Sequence, residues 1–170
     1  MEQLLITVDD QDEATGSILK TAAHTGGILH RAFSVFIFSS DGKWLLQQRA
    51  DSKYHSPGLW SNACCGHPSP GEETKRAAMS RLKYEMGIDA DAEFAFRKKY
   101  FAELDRGMKE HEMDHVFIGV SDAPAHPRPD EVQAVKFLSF DELNREISAA
   151  PGNFTAWFKL LYLDVEKHMI

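Results

Sequence analysis

Hydrophobic positions in the first part of the chain fall in short runs broken by turn-forming residues. Leu4 to Val8 reads as a short strand, and Asp9 to Gly16 as a polar turn before a second short segment. The acidic cluster in that turn lacks the glycine and the terminal glutamate of a calcium loop at the required offsets, so a solvated turn is expected. Phe33 to Phe38 and Trp44 to Gln48 are β-type runs separated by a turn containing Asp41-Gly42, a hairpin signal. The period then changes. From Ser69-Pro70-Gly71 a helix is expected over Glu72 to Met86, stopped by Gly87, with Ala78, Met79, Leu82 and Met86 as its buried stripe. Strands follow at Phe94 to Phe101, His115 to Val120 and Val132 to Phe137. A last amphipathic helix over Phe154 to His168 places Phe154, Trp157, Phe158, Leu161 and Val165 at helical spacing. No repeat, low-complexity tract or linker interrupts the pattern. It predicts an α+β (or α/β) layered domain, a mixed sheet with helices packed on it.

Composition narrows the class. A chain of 170 residues with 43% hydrophobic positions can bury a core as one domain. With 19 Lys+Arg against 26 Asp+Glu the net charge is −7, which disfavours non-specific binding to nucleic acid or an anionic membrane. Any anionic ligand must meet a local basic cluster. No apolar run reaches membrane-spanning length, and Met1-Glu2-Gln3 lacks the layout of a signal peptide, so a cytoplasmic protein is expected. The two cysteines, Cys64 and Cys65, are adjacent, which makes a structural disulfide between them geometrically unfavourable and fits a reducing compartment.

The densest chemical signal is Ser61-Asn62-Ala63-Cys64-Cys65-Gly66-His67-Pro68. In an extended segment Cys65 and His67 share a face and Cys64 points away, so one thiol serves the site. The competing reading is that both are small buried hydrophobes. In Glu110-His111-Glu112 the same alternation puts two carboxylates side by side, which repel unless a cation or a shared proton lies between them; a solvated strand edge is the ordinary alternative. His24 and His30 flank a glycine-containing loop. Together His24, His30, His67, Glu110 and Glu112 form a nitrogen-and-carboxylate set suited to an octahedral Mn2+ or Mg2+, with Zn2+ a further option, although spacing alone does not assemble it. Lys20, Arg49, Lys53 and Arg81 are cations suited to clamping a diphosphate, and each is otherwise solvated surface charge. Trp60 and Trp157 read first as core aromatics.

Gly66, five residues, Glu72, seven residues and then Ser80 to Ile88 resemble a degenerate Nudix box, the loop-helix-loop unit whose glutamates hold Mg2+ on a diphosphate in the hydrolases of that superfamily. Ser80 and Arg81 stand where those hydrolases have Arg-Glu, and Tyr84 replaces the first glutamate of the closing pair. The departure is similar to the type I isopentenyl-diphosphate isomerases. Their motifs stand here as Ala22-Ala23-His24-Thr25, Arg49-Ala50-Asp51-Ser52-Lys53, Pro57-Gly58-Leu59-Trp60-Ser61-Asn62, Cys65-Gly66-His67-Pro68 and Glu110-His111-Glu112, in order over almost the whole chain. The His24 to His30 interval is one residue shorter than the family's commonest form.

The resemblance implies a single Nudix-like isomerase domain over residues 1–170, its mixed sheet sandwiched by helices. It implies that His24, His30, His67, Glu110 and Glu112 hold one tightly bound divalent ion, and that Glu85 helps place a second Mg2+ carried by the substrate diphosphate. Cys65 and Glu112 would be the proton-transfer pair, assisted by Tyr100. Lys20, Arg49, Lys53 and Arg81 would hold the diphosphate, and Trp157 would cover the allyl end. The implied reaction interconverts isopentenyl and dimethylallyl diphosphate, in a monomer or weak homodimer with no nucleic-acid or membrane partner. The alternatives are a Nudix diphosphate hydrolase and a non-catalytic metal- or ligand-binding module.

Overall fold

The computed structural model describes residues 1–169. Its strands are β1 (Leu4–Val8), β2 (Ala14–Leu19), β3 (His30–Phe38), β4 (Trp44–Arg49), β5 (Trp60–Ser61), β6 (Cys64–Gly66), β7 (Glu93–Glu103), β8 (Lys109–Val120) and β9 (Val132–Leu138). The helices are α1 (Lys20–Gly26), α2 (Thr74–Met86), α3 (Phe140–Ala149) and α4 (Ala156–Met169). Among the described residues, no helix is long and apolar enough to cross a membrane.

β3 is the hub of the sheet. It pairs in parallel with β8 along its full length, from His30 opposite Glu112 to Phe38 opposite Val120, and antiparallel with β6 from Phe33 to Val35. Its residues alternate between two cores. Phe33, Val35 and Ile37 pack with Ala78, Leu82 and Met86 of α2, whereas Phe36 and Phe38 pack with Leu143 of α3 and Trp157, Phe158, Leu161 and Val165 of α4. Both faces of the sheet are thereby covered by helices, as the apolar runs require.

The Asp41-Gly42 turn forms, but the hairpin does not extend. β3 and β4 meet only at Phe38 opposite Trp44, after which β4 leaves to pair with β9 from Trp44 to Arg49. The space beside β3 is taken by β6, which brings the cysteines into the sheet. α2 starts at Thr74 rather than Glu72. The Glu72 carboxylate is drawn back to the Ser69 N–H (3.0 Å), and Glu73 caps the helix by accepting from the N–H groups of Lys75 and Arg76. Gly87 ends it as expected, in the left-handed region (φ 64°) and against the His126 carbonyl, where a Cβ would stand 2.7 Å away. Two helices go unannounced by the hydrophobic pattern, α1 and α3, and β8 begins six residues before the expected His115.

Candidate active site

A cavity of about 420 Å3 opens between α1, β6, α2, the start of β8 and α4. Its wall includes Lys20, Arg49, Lys53, Cys65, His67, Arg81, Glu85, Tyr100, Glu110, Glu112 and Trp157, so eleven of the thirteen residues singled out from the sequence meet there. The other two, His24 and His30, lie fully buried just behind it.

The imidazoles converge. Ring centroids are 5.1 Å apart for His24 and His30, 5.4 Å for His24 and His67, and 5.0 Å for His30 and His67. The shortened interval between His24 and His30 closes without loss, because α1 ends at Gly27 in the left-handed conformation and the chain turns directly into β3. Backbone carbonyls orient two of the rings: His24 Nδ1 lies 2.9 Å from the Lys20 carbonyl and His30 Nδ1 lies 2.7 Å from that of Ile28. With those nitrogens donating, the Nε2 lone pairs face inward, and both Nε2 atoms are buried without a hydrogen-bond partner, as is His67 Nδ1. One ligand atom from each of His24, His30, His67 and Glu112 lies within 4.8 Å of the others. Orphaned buried nitrogens beside a carboxylate are the donor set of a divalent cation, so these residues fit the ion that the resemblance implies. Glu110 groups instead with His24 and with His55, a buried residue that the motifs did not single out.

The carboxylates carry the charge that such an ion would neutralise. Burial, then the charge of Glu112, pushes Glu110 well above the usual carboxylate range. Burial acts the same way on Glu112, but the imidazoles beside its Oε1, His67 Nε2 at 3.1 Å and His30 Nε2 at 3.5 Å, outweigh it and hold the group well below that range. Burial pushes His67 down to about 3, so its ring is neutral. The Tyr100 hydroxyl donates to Glu112 Oε2 at 2.6 Å and lies 3.1 Å from Glu110 Oε2, bridging the pair.

The two cysteines part as strand alternation dictates. Cys64 is buried in the core against α2, with its Sγ 4.0 Å from the Ala78 carbonyl. Cys65 is half-buried and faces the cavity. Gly66 packs directly on the Phe33 ring, where a Cβ would stand 2.7 Å away. Burial keeps the Cys65 thiol far above its ordinary range and hence protonated. Asn62 holds it with both ends of its amide, Nδ2 at 3.2 Å and Oδ1 at 3.3 Å, and Ser34 Oγ lies 3.5 Å away while donating to buried Asp114 at 2.7 Å. Ser34 and Asp114 escape a motif reading, yet they share strand parity with His30 and with Glu110 and Glu112.

At the other end of the cavity the cations crowd. Burial lowers the affinity of Lys20 for its proton, and Lys53, Arg81 and Arg49 lower it further, which places four positive charges around one space. Arg49 is held by the carbonyls of Ser56 (3.2 Å) and His55 (3.0 Å), and its guanidinium stacks 5.2 Å from the centre of the Trp157 ring. The indole assigned to the allyl end therefore already supports one cation. Arg81 pairs with Glu85 at 2.6 Å, whose other oxygen accepts from Gln47 at 2.8 Å. Glu85 thus lines the cavity but stands apart from both metal-competent groups.

Comparison with known proteins agrees with this geometry. The NUDIX domain model matches residues 28–158. An isopentenyl-diphosphate Delta-isomerase of Pectobacterium atrosepticum is 48% identical over 158 residues, covering 93% of this chain and 88% of that protein. One from Serratia proteamaculans is 45% identical over 165 residues, covering 97% and 92%. Among solved structures, a Deinococcus radiodurans protein superposes with a TM-score of 0.76 at 19% identity, over 94% of this chain and 98% of its own, and a MutT protein of Methanosarcina mazei with 0.66 at 17%, over 82% and 94%. These two likenesses speak to the fold alone. The NUDIX match over most of the chain, and identity of this order along nearly its full length, place the protein in the isopentenyl-diphosphate Delta-isomerase family of the Nudix superfamily.

Proposed function

We propose that the protein interconverts isopentenyl and dimethylallyl diphosphate by adding a proton at one carbon of the alkene and withdrawing one from another, with Cys65 and Glu112 as the exchanging pair. The observation that carries this reading is the placement of the two groups: Cys65 and Glu112 face one cavity from two different strands, β6 and β8, with Asn62 and Ser34 on the thiol and Tyr100 on the carboxylate. Burial pushes the Cys65 thiol up, toward the protonated form that a donor needs. In the forward direction the terminal methylene gains a proton, a tertiary carbocation forms, and the allylic methylene loses a proton to the other member of the pair. Exchange with solvent then returns a proton to the donor and removes one from the acceptor, which restores the pair. An alkene is a weak base, so the donor must be close, oriented and shielded from water. Asn62 and Ser34 orient the thiol, Tyr100 orients the carboxylate, and the half-buried cavity limits water. The Trp157 ring offers a π face to the cation.

Lys20, Arg49, Lys53 and Arg81 bind the diphosphate, and Glu85, which lines the cavity, would share a Mg2+ with it. His24, His30, His67 and Glu112, whose donor atoms converge, would hold a resident ion, which Glu110, grouped with His24 and His55, would join only by turning toward it; three imidazoles favour Mn2+ over the harder Mg2+. When bound, that ion supplies positive charge that lets both carboxylates ionise side by side. The test is incubation with isopentenyl diphosphate and Mg2+ in D2O. Acid-labile allylic diphosphate carrying solvent deuterium is expected. Released phosphate without allylic product would identify a hydrolase, and neither product a binding module.

A further inference from the structure

The four cations of the pocket are not equivalent. Lys20 and Arg49 have no carboxylate partner within salt-bridge distance among the described residues. Arg81 pairs with Glu85, and Lys53 and Arg81 share a further carboxylate: the Lys53 ammonium is hydrogen-bonded to Glu131 Oε2, and Arg81 Nη2 donates to the same oxygen at 2.9 Å. Glu131 does not line the cavity; it stands behind these two side chains. Its main chain is tied down as well. The Ala50 N–H donates to the Glu131 carbonyl (3.0 Å) and the Glu131 N–H to the Arg128 carbonyl (3.0 Å), so the carboxylate is placed by the start of β9. It contacts neither Cys65, Tyr100, Glu112 nor the imidazoles, and the proton-transfer chemistry has no use for it. A carboxylate that offsets one of the four positive charges of an anion-binding wall lowers the attraction for every anion, and the lowering grows with the charge of the anion.

We propose that Glu131 is a specificity-determining residue: it subtracts one charge from the cationic wall, and so matches the pocket to an anion of diphosphate charge against more highly charged polyphosphates. This rests on the reading of the pocket as a diphosphate site. Removing the carboxylate has two effects of opposite sign. Loss of the tie frees two long side chains and weakens all anions alike, whereas loss of the negative charge strengthens each anion in proportion to its own charge. The ratio of affinities for two anions cancels the first effect and keeps the second.

The experiment titrates the metal-loaded protein calorimetrically with inorganic diphosphate and with inorganic tripolyphosphate at fixed free Mg2+ and ionic strength. Glu131→Gln shifts the affinity ratio toward tripolyphosphate by on the order of threefold to tenfold, and the shift shrinks as salt is raised. Glu131→Asp keeps the charge and leaves the ratio near that of the wild type even where both affinities fall. Lys53→Gln moves the ratio toward diphosphate, which tests the charge count through a different residue if Glu131→Gln does not fold. An unchanged ratio in Glu131→Gln or Lys53→Gln overturns the proposal, and so does an equal shift in Glu131→Asp. A wild-type protein that binds no inorganic diphosphate overturns the pocket reading and this proposal with it, whereas wild-type binding with an unmoved ratio overturns this proposal alone.

Discussion

The two ends of the cavity are built on opposite plans. At the imidazole end the donors come from β3 (His30), β8 (Glu112), the residue just past β6 (His67) and α1 (His24), and backbone carbonyls fix two of the three rings. At the cation end, long side chains reach in from α1, the end of β4, the following loop and α2, held by a mixture of carbonyls, one shared carboxylate and aromatic faces. Short side chains on paired strands give position; long ones on loops and helices give charge with some freedom to follow the ligand. Substitutions at the first end should therefore act nearly all-or-none, and those at the second should be graded.

The largest effect is expected at Cys65. Cys65→Ala should lower isomerisation by at least about 10³-fold with folding and metal content intact, because it removes one member of the proton pair. Cys64→Ala, one residue away but turned into the α2 core, should keep most of the activity. A dead Cys64→Ala beside an active Cys65→Ala would reverse the assignment. Next, His67→Ala should drop bound Mn2+ from about one per chain to a small fraction, measured by elemental analysis after dialysis, since it removes a donor from a buried set. Retained stoichiometry would move the ion elsewhere.

At the cation end, Arg49→Ala should weaken diphosphate binding by about 1.5–3 kcal/mol, the range for a charge-assisted hydrogen bond. Lys53→Ala should cost less, because Glu131 already offsets part of its charge. Equal losses in titrations with inorganic diphosphate would contradict that difference.

The smallest effect is one of pH. Burial pushes His55 down to about 2 from its ordinary 6.5. Below about pH 6.5 the unfolded chain takes up a proton that the folded chain refuses, so the free energy of unfolding falls as pH drops toward the folded value. The slope is on the order of 1 kcal/mol per pH unit. His55→Asn should flatten the denaturant-midpoint profile over pH 4 to 6. An identical slope in the variant would show that the ring titrates normally.

Much of the fold was legible because apolar runs carried it: β1, the core of β3, β4, the stripe of α2 and the α4 residues Trp157 to Val165 stand where their periodicity puts them, whereas Phe154, expected in the last helix, lies extended before Ala156 and bridges to Trp60. What escaped did so for physical reasons. α1 has no side-chain cap at Leu19 and only seven residues, so its formation depends on packing rather than on local signals. α3 did carry a signal, the capping box of Ser139 and Glu142, which apolar spacing alone passes over. The early part of β8 was hidden by its own function, since Glu110, Glu112 and Asp114 occupy inward positions where a strand ordinarily shows apolar residues. The site motifs named the pocket residues. They could not show that Glu110 sits with His24 and His55, nor that Glu131 backs two cations, because those are facts of tertiary distance.

The parallel register that sets His30 opposite Glu112 has a consequence for how the protein is made. Parallel neighbours need a long crossover, and here residues 39–108, including β4, β6, α2 and β7, lie between the two strands. During synthesis His24, His30 and His67 leave the ribosome well before the glutamates that complete their donor set, so the nascent chain offers three imidazoles and no closing carboxylate. On the proposed metal site, ion capture would wait until β8 docks beside β3, and the rate at which apo-protein acquires metal during refolding should follow the rate of that docking rather than the ion concentration.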